Sequence, residues 1–401
     1  MRILQINTTD NRGGAAKIAF QLHKELKKMG HQMSMFVGRK YSNDPNVFIF
    51  NDVLSFSGKV RRKLAYWLAN DIDVFSSDHI LKTEQFKEAD IIHCHNLHSN
   101  YFNLGTLEKI SKLKPIVWTF HDMWPITAHC AHSFHGEIKN GFFQCPSMEI
   151  YPPIAWHNEK YLENKKRNIY NNSRFHIVTV SRWLEQKVHE TLLGSKTIST
   201  IYNGVDTSVF KPYPKDESRK VLNLPNDKKI ILSVIKQGRF NPWKGADYVA
   251  RIVELFKNRS DILFVCIGGN SNDQNEKIIN IPYTKDSGEL AKYYSASDIL
   301  LYPSIADTFG LVAAEAQACG LSVVAFKTGG VPEIIDHKKT GYIAEYKNTD
   351  DLKRGVEYLF NLPSEETEKM KSNSINKTKT SFTLGLMMDK YLQLYEKILR
   401  L

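Results

Sequence analysis

Two carboxylates, Asp307 and Glu315, stand eight residues apart in the stretch D-T-F-G-L-V-A-A-E-A-Q-A-C-G from Asp307 to Gly320. An apolar run, Asp298 to Ser304, precedes it and reads as a buried parallel strand. Good helix formers fill Gly310 to Cys319, Gly320 follows as the stop, and Val323 to Phe326 reads as the next strand. Strand, loop, helix, strand is one unit of an open α/β sheet, and such sheets take ligands beyond the carboxyl ends of their strands. The helix start at Gly310, Leu311 and Val312 offers backbone N–H groups to an anion. Eight residues is just over two helical turns, so the two acids project from similar faces. A phosphate site flanked by acids suits a ligand with phosphate and hydroxyls, such as a sugar nucleotide. The blander reading is an ordinary helix with solvated acids.

Cations stand near a second such loop. In Gln237 to Gly245, Arg239 and Lys244 lie beside Gly238 and Gly245, after the strand Lys229–Ile235. A guanidinium fork and an ammonium point charge together neutralise a leaving diphosphate, the main charge that develops in glycosyl transfer. Near the start, Gly13-Gly14 follows the strand Arg2–Asn7 and precedes a helix from about Ala15 to Met29. Paired glycines let backbone approach a ligand, and the G-x-G-x-x-G dinucleotide pattern is absent. Two further strands end in histidines, at His93-Cys94-His95 and at His121-Asp122. Met123 to Tyr151 carries Cys130, Cys145, His129, His132 and His135, the ingredients of a zinc site without the spacing of a closed one. It reads as a covering loop. Lys59 to Leu68 mixes basic and apolar residues at helical spacing, which fits either an anionic membrane surface or packing on its own domain.

The elements that position these groups divide in two. A chain of 401 residues exceeds one common core. Strand–helix alternation runs to about residue 205, the proline-bearing stretch Lys211–Asp227 reads as a linker, and the alternation restarts at Lys229. We expect one domain over 1–205, a second over 206–380 and a terminal helix over 381–401; resemblance to a known family, on the motifs given next, implies an acceptor-side role for the first, a nucleotide-sugar role for the second and packing of the helix back on the first. Net charge is +11, and residues 1–205 carry +8 of it, from 26 Lys and Arg against 18 Asp and Glu. That excess suggests an anionic partner for the first half. No nucleic-acid module is recognisable, so no nucleic acid is expected. Five cysteines, odd in number, read as reduced thiols of a cytosol. No apolar run is long enough to span a bilayer.

Taken in order, these motifs resemble the retaining glycosyltransferases of family 4, with the GT-B fold: α/β, two Rossmann-like domains facing each other across a cleft. The matching pieces are Gly13-Gly14, Thr119 to Asp122, Ser181 with Trp183, Asn203 to Asp206, Gly238-Arg239, Lys244-Gly245, Pro303-Ser304, Asp307-x7-Glu315, Phe309-Gly310, Gly320 and Gly329 to Glu333. Trp124 to Cys130 and Cys145-Pro146 resemble a bacterial branch that builds cell-surface polysaccharides. The resemblance implies that Arg239 and Lys244 hold the donor diphosphate and that Glu315 binds the ribose. It implies that Asp307 and His121 meet the transferred sugar. Gly13, Gly14, Gly238, Phe309, Gly310, Leu311 and Val312 would surround the donor, with His95 and Ser181 on the acceptor side. No metal or other cofactor is implied. The donor would be a UDP-sugar, or GDP-mannose, and the acceptor a glycan or lipid-linked glycan. The place would be the cytoplasm or the inner face of the membrane. The family usually has glutamate where Asp307 stands, one methylene longer. A non-catalytic sugar-nucleotide-binding partner and an epimerase on the same fold are the rival readings.

Overall fold

The computed structural model describes residues 1–50, 55–235, 242–268, 277–284 and 286–400. It divides into two compact units, Met1–Ile201 with Met388–Leu401, and Tyr202–Met387. The segment read as a linker belongs to the second unit and contains the helix Lys215–Val221. Arg219 explains this. It is buried, donates to the carbonyls of Ala296, Pro225, Asn226 and Lys228, and pairs with Asp298 at 2.9 Å. A guanidinium with so many acceptors ties the stretch into the domain.

In the first unit, strands β1 (Arg2–Thr9), β2 (Gln32–Arg39), β3 (Val47–Ile49), β4 (Ile91–Cys94) and β5 (Ile116–Phe120) lie in one sheet. The pair β6 (Ile138–Lys139) and β7 (Phe142–Phe143) forms a small antiparallel hairpin, and β8 (His176–Thr179) and β9 (Ile198–Thr200) complete the main sheet. Its order is β3-β2-β1-β4-β5-β8-β9, with parallel neighbours throughout. Apolar runs such as Ile91–Cys94 and Ile116–Phe120 are wholly buried, as strands covered on both faces must be. The last helix, Leu384–Leu399, carries Tyr391 and Tyr395 to this sheet. Tyr391 OH meets Thr119 Oγ1 at 2.9 Å and Tyr395 OH meets His93 Nδ1 at 2.6 Å.

The second unit holds β10 (Lys229–Val234), β11 (Ile262–Ile267), β12 (Ile278–Ile281), β13 (Ile299–Tyr302), β14 (Ser322–Phe326) and β15 (Gly341–Ala344). Their order is β12-β11-β10-β13-β14-β15, again all parallel. The reversal between β10 and its two neighbours is a topological switch point, where ligands of such sheets bind. Ile231, Phe264, Leu301, Val324 and Phe326 pack with Ile252 and Val356 of the covering helices. Both units are Rossmann-like.

Cys130 and Cys145 form a disulfide, with Cα atoms 5.9 Å apart. This corrects the reading of all five cysteines as reduced thiols. The β6–β7 hairpin turns the chain back on itself and brings the two half-cystines together. Cys94, Cys266 and Cys319 are free. Among the described residues no group of three or more His, Cys, Asp or Glu side chains is placed to hold a metal ion. No described helix is long and apolar enough to cross a membrane.

Candidate active site

The site in the second unit is built around the loop that leaves β13. Tyr302 is the strand's last residue, and its hydroxyl donates to Asp307 Oδ2. Lys244 Nζ reaches the same oxygen at 2.5 Å. Asp307 Oδ1 accepts the amides of Phe309 at 3.3 Å and Gly310 at 3.0 Å. Burial works to raise the Asp307 carboxyl, but the Lys244 ammonium, the Tyr302 hydroxyl and the Phe309 amide outweigh it. The group stays below its usual carboxylate range, so it is an anion at neutral pH. Asp307 therefore holds the cation and caps the loop at once. Its reach to a sugar hydroxyl, implied by the resemblance, competes with these contacts.

Lys244 arrives there because two loops are locked together. It ends the short turn Pro242–Lys244. The Ile305 amide donates to the Trp243 carbonyl at 2.9 Å. Gly245 follows with φ +73°, and a Cβ there would lie 1.9 Å from the Pro303 carbonyl oxygen. Only glycine permits so close an approach. Arg239 and Gly238 lie outside the described residues.

Helix Leu311–Ala318 starts at Gly310, whose φ is +100°. Helix geometry leaves the first amides, at Leu311 and Val312, without acceptors inside the helix. Phe309 turns its ring inward, buried near Tyr202 and Phe382. Glu315 lies on one side of this helix, 4% exposed, with the Tyr294 hydroxyl 3.4 Å from Oε2. Burial, then the Glu315 charge, pushes the Tyr294 phenol well above its ordinary range. The Gly330 amide donates to the Asp307 carbonyl at 3.2 Å, which seats the Gly329 to Glu333 segment on the same loop. Asp307, Lys244, Gly310 and Glu315 thus share one end of one sheet. Tyr302 and Tyr294 carried no role in the sequence reading. Tyr302's place as the last strand residue before the loop was the signal available for it.

In the first unit, Gly13 has φ +112° and begins helix Gly14–Lys28, with open space where a Cβ would stand at either glycine. His95 and His121 follow β4 and β5, and His95 Nδ1 is 3.0 Å from His121 Nε2. Both are buried. Burial holds His121 down to about 4, with Asp122 opposing and His98 assisting, and it holds His95 well below its ordinary value. Each is a neutral imidazole at pH 7, able to donate from one nitrogen and accept at the other. Ser181 caps helix Arg182–His189 by accepting the Leu184 amide at 3.2 Å. Helix Phe56–Trp67 buries only Gly58 and Ala65 of its described residues, while Phe56, Val60, Leu64 and Trp67 are exposed.

Comparison with known proteins gives the family and the fold. The sequence profile of the Glycosyltransferase Family 4 matches residues 12–209, and that of the Glycosyl transferases group 1 matches residues 214–377. The chain belongs to this glycosyltransferase family and has its GT-B fold. A D-inositol 3-phosphate glycosyltransferase of Mycolicibacterium smegmatis is 25% identical over 369 residues, covering 86% of this chain and 77% of that one. One of the same name from Thermobispora bispora is 27% identical over 289 residues, 66% of this chain and 62% of its own length. So the chain spans less than two thirds of that relative. Among solved structures, a glycosyltransferase from Rickettsia africae matches with a TM-score of 0.68 at 19% identity, covering 99% of this chain and 98% of that one. The Anabaena protein HepE, crystallised with UDP and glucose, gives 0.68 at 16% identity, with 99% of each chain covered. These structural likenesses show the fold.

Proposed function

We propose that the protein moves a hexosyl group, with retention, from a nucleotide-diphosphate sugar to a glycan or lipid-linked glycan in surface polysaccharide synthesis. A UDP-sugar is the favoured donor. The observation that carries the donor half is the cluster of Lys244, Asp307, the Gly310 helix start and Glu315 at one sheet edge. A cation and helix amides offer the diphosphate its charge partners, and a buried carboxylate offers the ribose an acceptor. In the transfer, the bond from the anomeric carbon to the phosphate oxygen breaks and one to the acceptor oxygen forms. The acceptor proton passes to the leaving phosphate. Lys244, with Arg239, neutralises that phosphate as its charge grows, which is where side-chain cations count most for rate and why no metal is invoked. The UDP bound to the Anabaena protein HepE, which shares the fold, supports the choice of base.

The same reading puts the protein on the inner surface of a membrane. Helix Phe56–Trp67 leaves Phe56 83% and Trp67 68% exposed beside Lys59, Arg61, Arg62 and Lys63. Its far end is fixed to the domain, since Trp156 Nε1 donates to the Trp67 carbonyl at 2.9 Å. Exposed apolar side chains among cations fit an anionic lipid surface. Vesicles of phosphatidylglycerol should co-sediment the protein and vesicles of phosphatidylcholine should not. Equal recovery with both would refute the contact.

The donor assignment is tested by thermal shift with UDP, GDP and ADP, with and without magnesium. Binding to the folded state alone at about 100 times the dissociation constant adds about 2.7 kcal/mol. The expected result is a shift with UDP that magnesium does not change and that Glu315→Ala abolishes. No shift with any nucleotide overturns the proposal.

A further inference from the structure

Asp307 is ringed by donors from its own unit. Oδ1 accepts two amides of its own loop, those of Phe309 and Gly310. Oδ2 accepts from the Tyr302 hydroxyl and from Lys244 Nζ. A carboxylate has two oxygens and about four lone-pair sites. These four donors fill them, two to each oxygen. The side chain is 16% exposed.

Side-chain length explains the arrangement. An aspartate oxygen reaches amides two and three residues ahead in its own chain, the geometry of Asx turns and helix caps. Phe309 and Gly310 stand at those two positions. A glutamate would overreach them by one methylene. The shorter acid is thus held in the loop, and its second oxygen is left to Tyr302 and Lys244.

The three side chains depend on one another in one direction. Tyr302 is buried as the last residue of β13. Burial, then the Asp307 charge, with Glu315 adding to it, pushes the Tyr302 phenol well above its ordinary range. It keeps its proton at neutral pH and donates it to Asp307. The strand therefore fixes the phenol, and the phenol and the loop amides fix the carboxylate. The carboxylate in turn fixes the ammonium. Lys244 has three N–H groups, one of which goes to Asp307, and its side chain is one third exposed. It can hold Asp307 and meet a phosphate at once.

We propose that Asp307 and Tyr302 are positioning residues that aim the Lys244 ammonium at the donor diphosphate, and that Asp307 takes no hydroxyl of the transferred sugar. A sugar hydroxyl could bind Asp307 only by displacing one of the four donors. Discrimination among donor sugars then falls to other residues. This assignment replaces the role that the resemblance implies for Asp307. It rests on the donor site proposed above, because it needs Lys244 to meet the diphosphate.

The test is calorimetric titration of the full chain with UDP and with UDP-glucose. Asp307→Asn keeps an acceptor for the two amides and removes the one that serves Tyr302 and Lys244. It should change the affinities for UDP and UDP-glucose by the same factor, so that their ratio stays within about twofold of wild type. A carboxylate that accepted a sugar hydroxyl would instead cost UDP-glucose alone about tenfold or more. Tyr302→Phe should weaken UDP binding about threefold or more in the wild-type background and leave it unchanged where Lys244 is already alanine. A tyrosine that merely packs would act alike in both backgrounds. A loss confined to UDP-glucose in Asp307→Asn overturns the proposal. So does a Tyr302→Phe effect that is absent, or that is the same with and without Lys244. Either result, with UDP still bound by wild type, leaves the donor site standing. Wild type that binds no UDP removes the donor site and this assignment with it.

Discussion

At the scale of single residues, the pairing of Lys244 with Asp307 is the contact on which most depends. It joins positions 63 apart in sequence. Asp307 keeps the Tyr302 hydroxyl and two amides if the ammonium is removed, so its charge stays satisfied. Lys244 is one third exposed, so truncating it leaves no large cavity. Lys244→Ala is therefore expected to lower kcat by roughly a hundredfold or more, the cost of losing one charge-stabilising donor. Its urea midpoint should stay within error of wild type. Turnover close to wild type would remove Lys244 from the diphosphate. The residue types at this site were legible from sequence: an acid at the loop, an acid on the helix, a lysine before a glycine. Their partners were not. That Asp307 would spend both oxygens on Lys244, Tyr302 and the loop's own amides follows from three segments converging, and no local spacing encodes it. Nor did anything mark Asp71 and Lys166. The Lys166 Nζ is buried over the Trp124 ring and donates to the Trp124 and Thr127 carbonyls, and burial lowers it to about 7. In sequence it sits in the basic run Lys165-Lys166-Arg167, where nothing sets it apart from its neighbours.

At the scale of elements, the second unit shows how a glycine sets the distance between two loops. Gly245 carries a left-handed backbone and lies against the Pro303 carbonyl. Gly245→Ala should cost roughly 1–2 kcal/mol from the backbone alone, with the clash in addition. The loop must then move, so UDP affinity should fall along with stability. A stable variant with intact UDP binding would show that the two loops need not touch. The alternation of strand and helix was legible for the same reason the sheets are stable: parallel strands buried on both faces are apolar along their whole length. Helix Ser364–Ser381 was not read as an element. It buries Met370, Ser374 and Thr378, spaced by four, and two of these are hydroxyl residues invisible to a hydropathy pattern. Ser374 Oγ donates to the Thr340 carbonyl at 3.1 Å, so this helix docks by a hydrogen bond as well as by Met370, which packs into the apolar core. The stretch Lys211–Asp227 misled in the opposite sense. Its charges and prolines are those of a linker, while Arg219 is a buried anchor.

At the scale of the whole chain, the two units differ in how they answer acid. Thirteen of the fourteen histidines precede residue 206. Several are buried: His23 and His121 are held down to about 4 and His93 to about 3, in each case by burial first. The unfolded chain protonates these groups near pH 6.5. Between that value and about 4 the unfolded state binds protons that the folded state refuses. A depressed histidine thus contributes stability that is complete above pH 6.5 and is lost as pH falls. At pH 5 the loss is on the order of 1–2 kcal/mol per buried histidine. The buried carboxylates Asp122 and Asp307 are held below their usual range, so they stay charged through this window, whereas burial raises the Asp71 carboxyl, which offsets part of the loss. Five of the six tryptophans lie in the first unit, which makes their fluorescence a reporter of its unfolding. The urea midpoint read this way should drop markedly from pH 7.5 to pH 5. His93→Phe should flatten part of the slope, since phenylalanine keeps the ring and removes the proton site. A midpoint independent of pH would mean that these imidazoles are hydrated or charged in the fold, and the neutral His95–His121 pair would go with them.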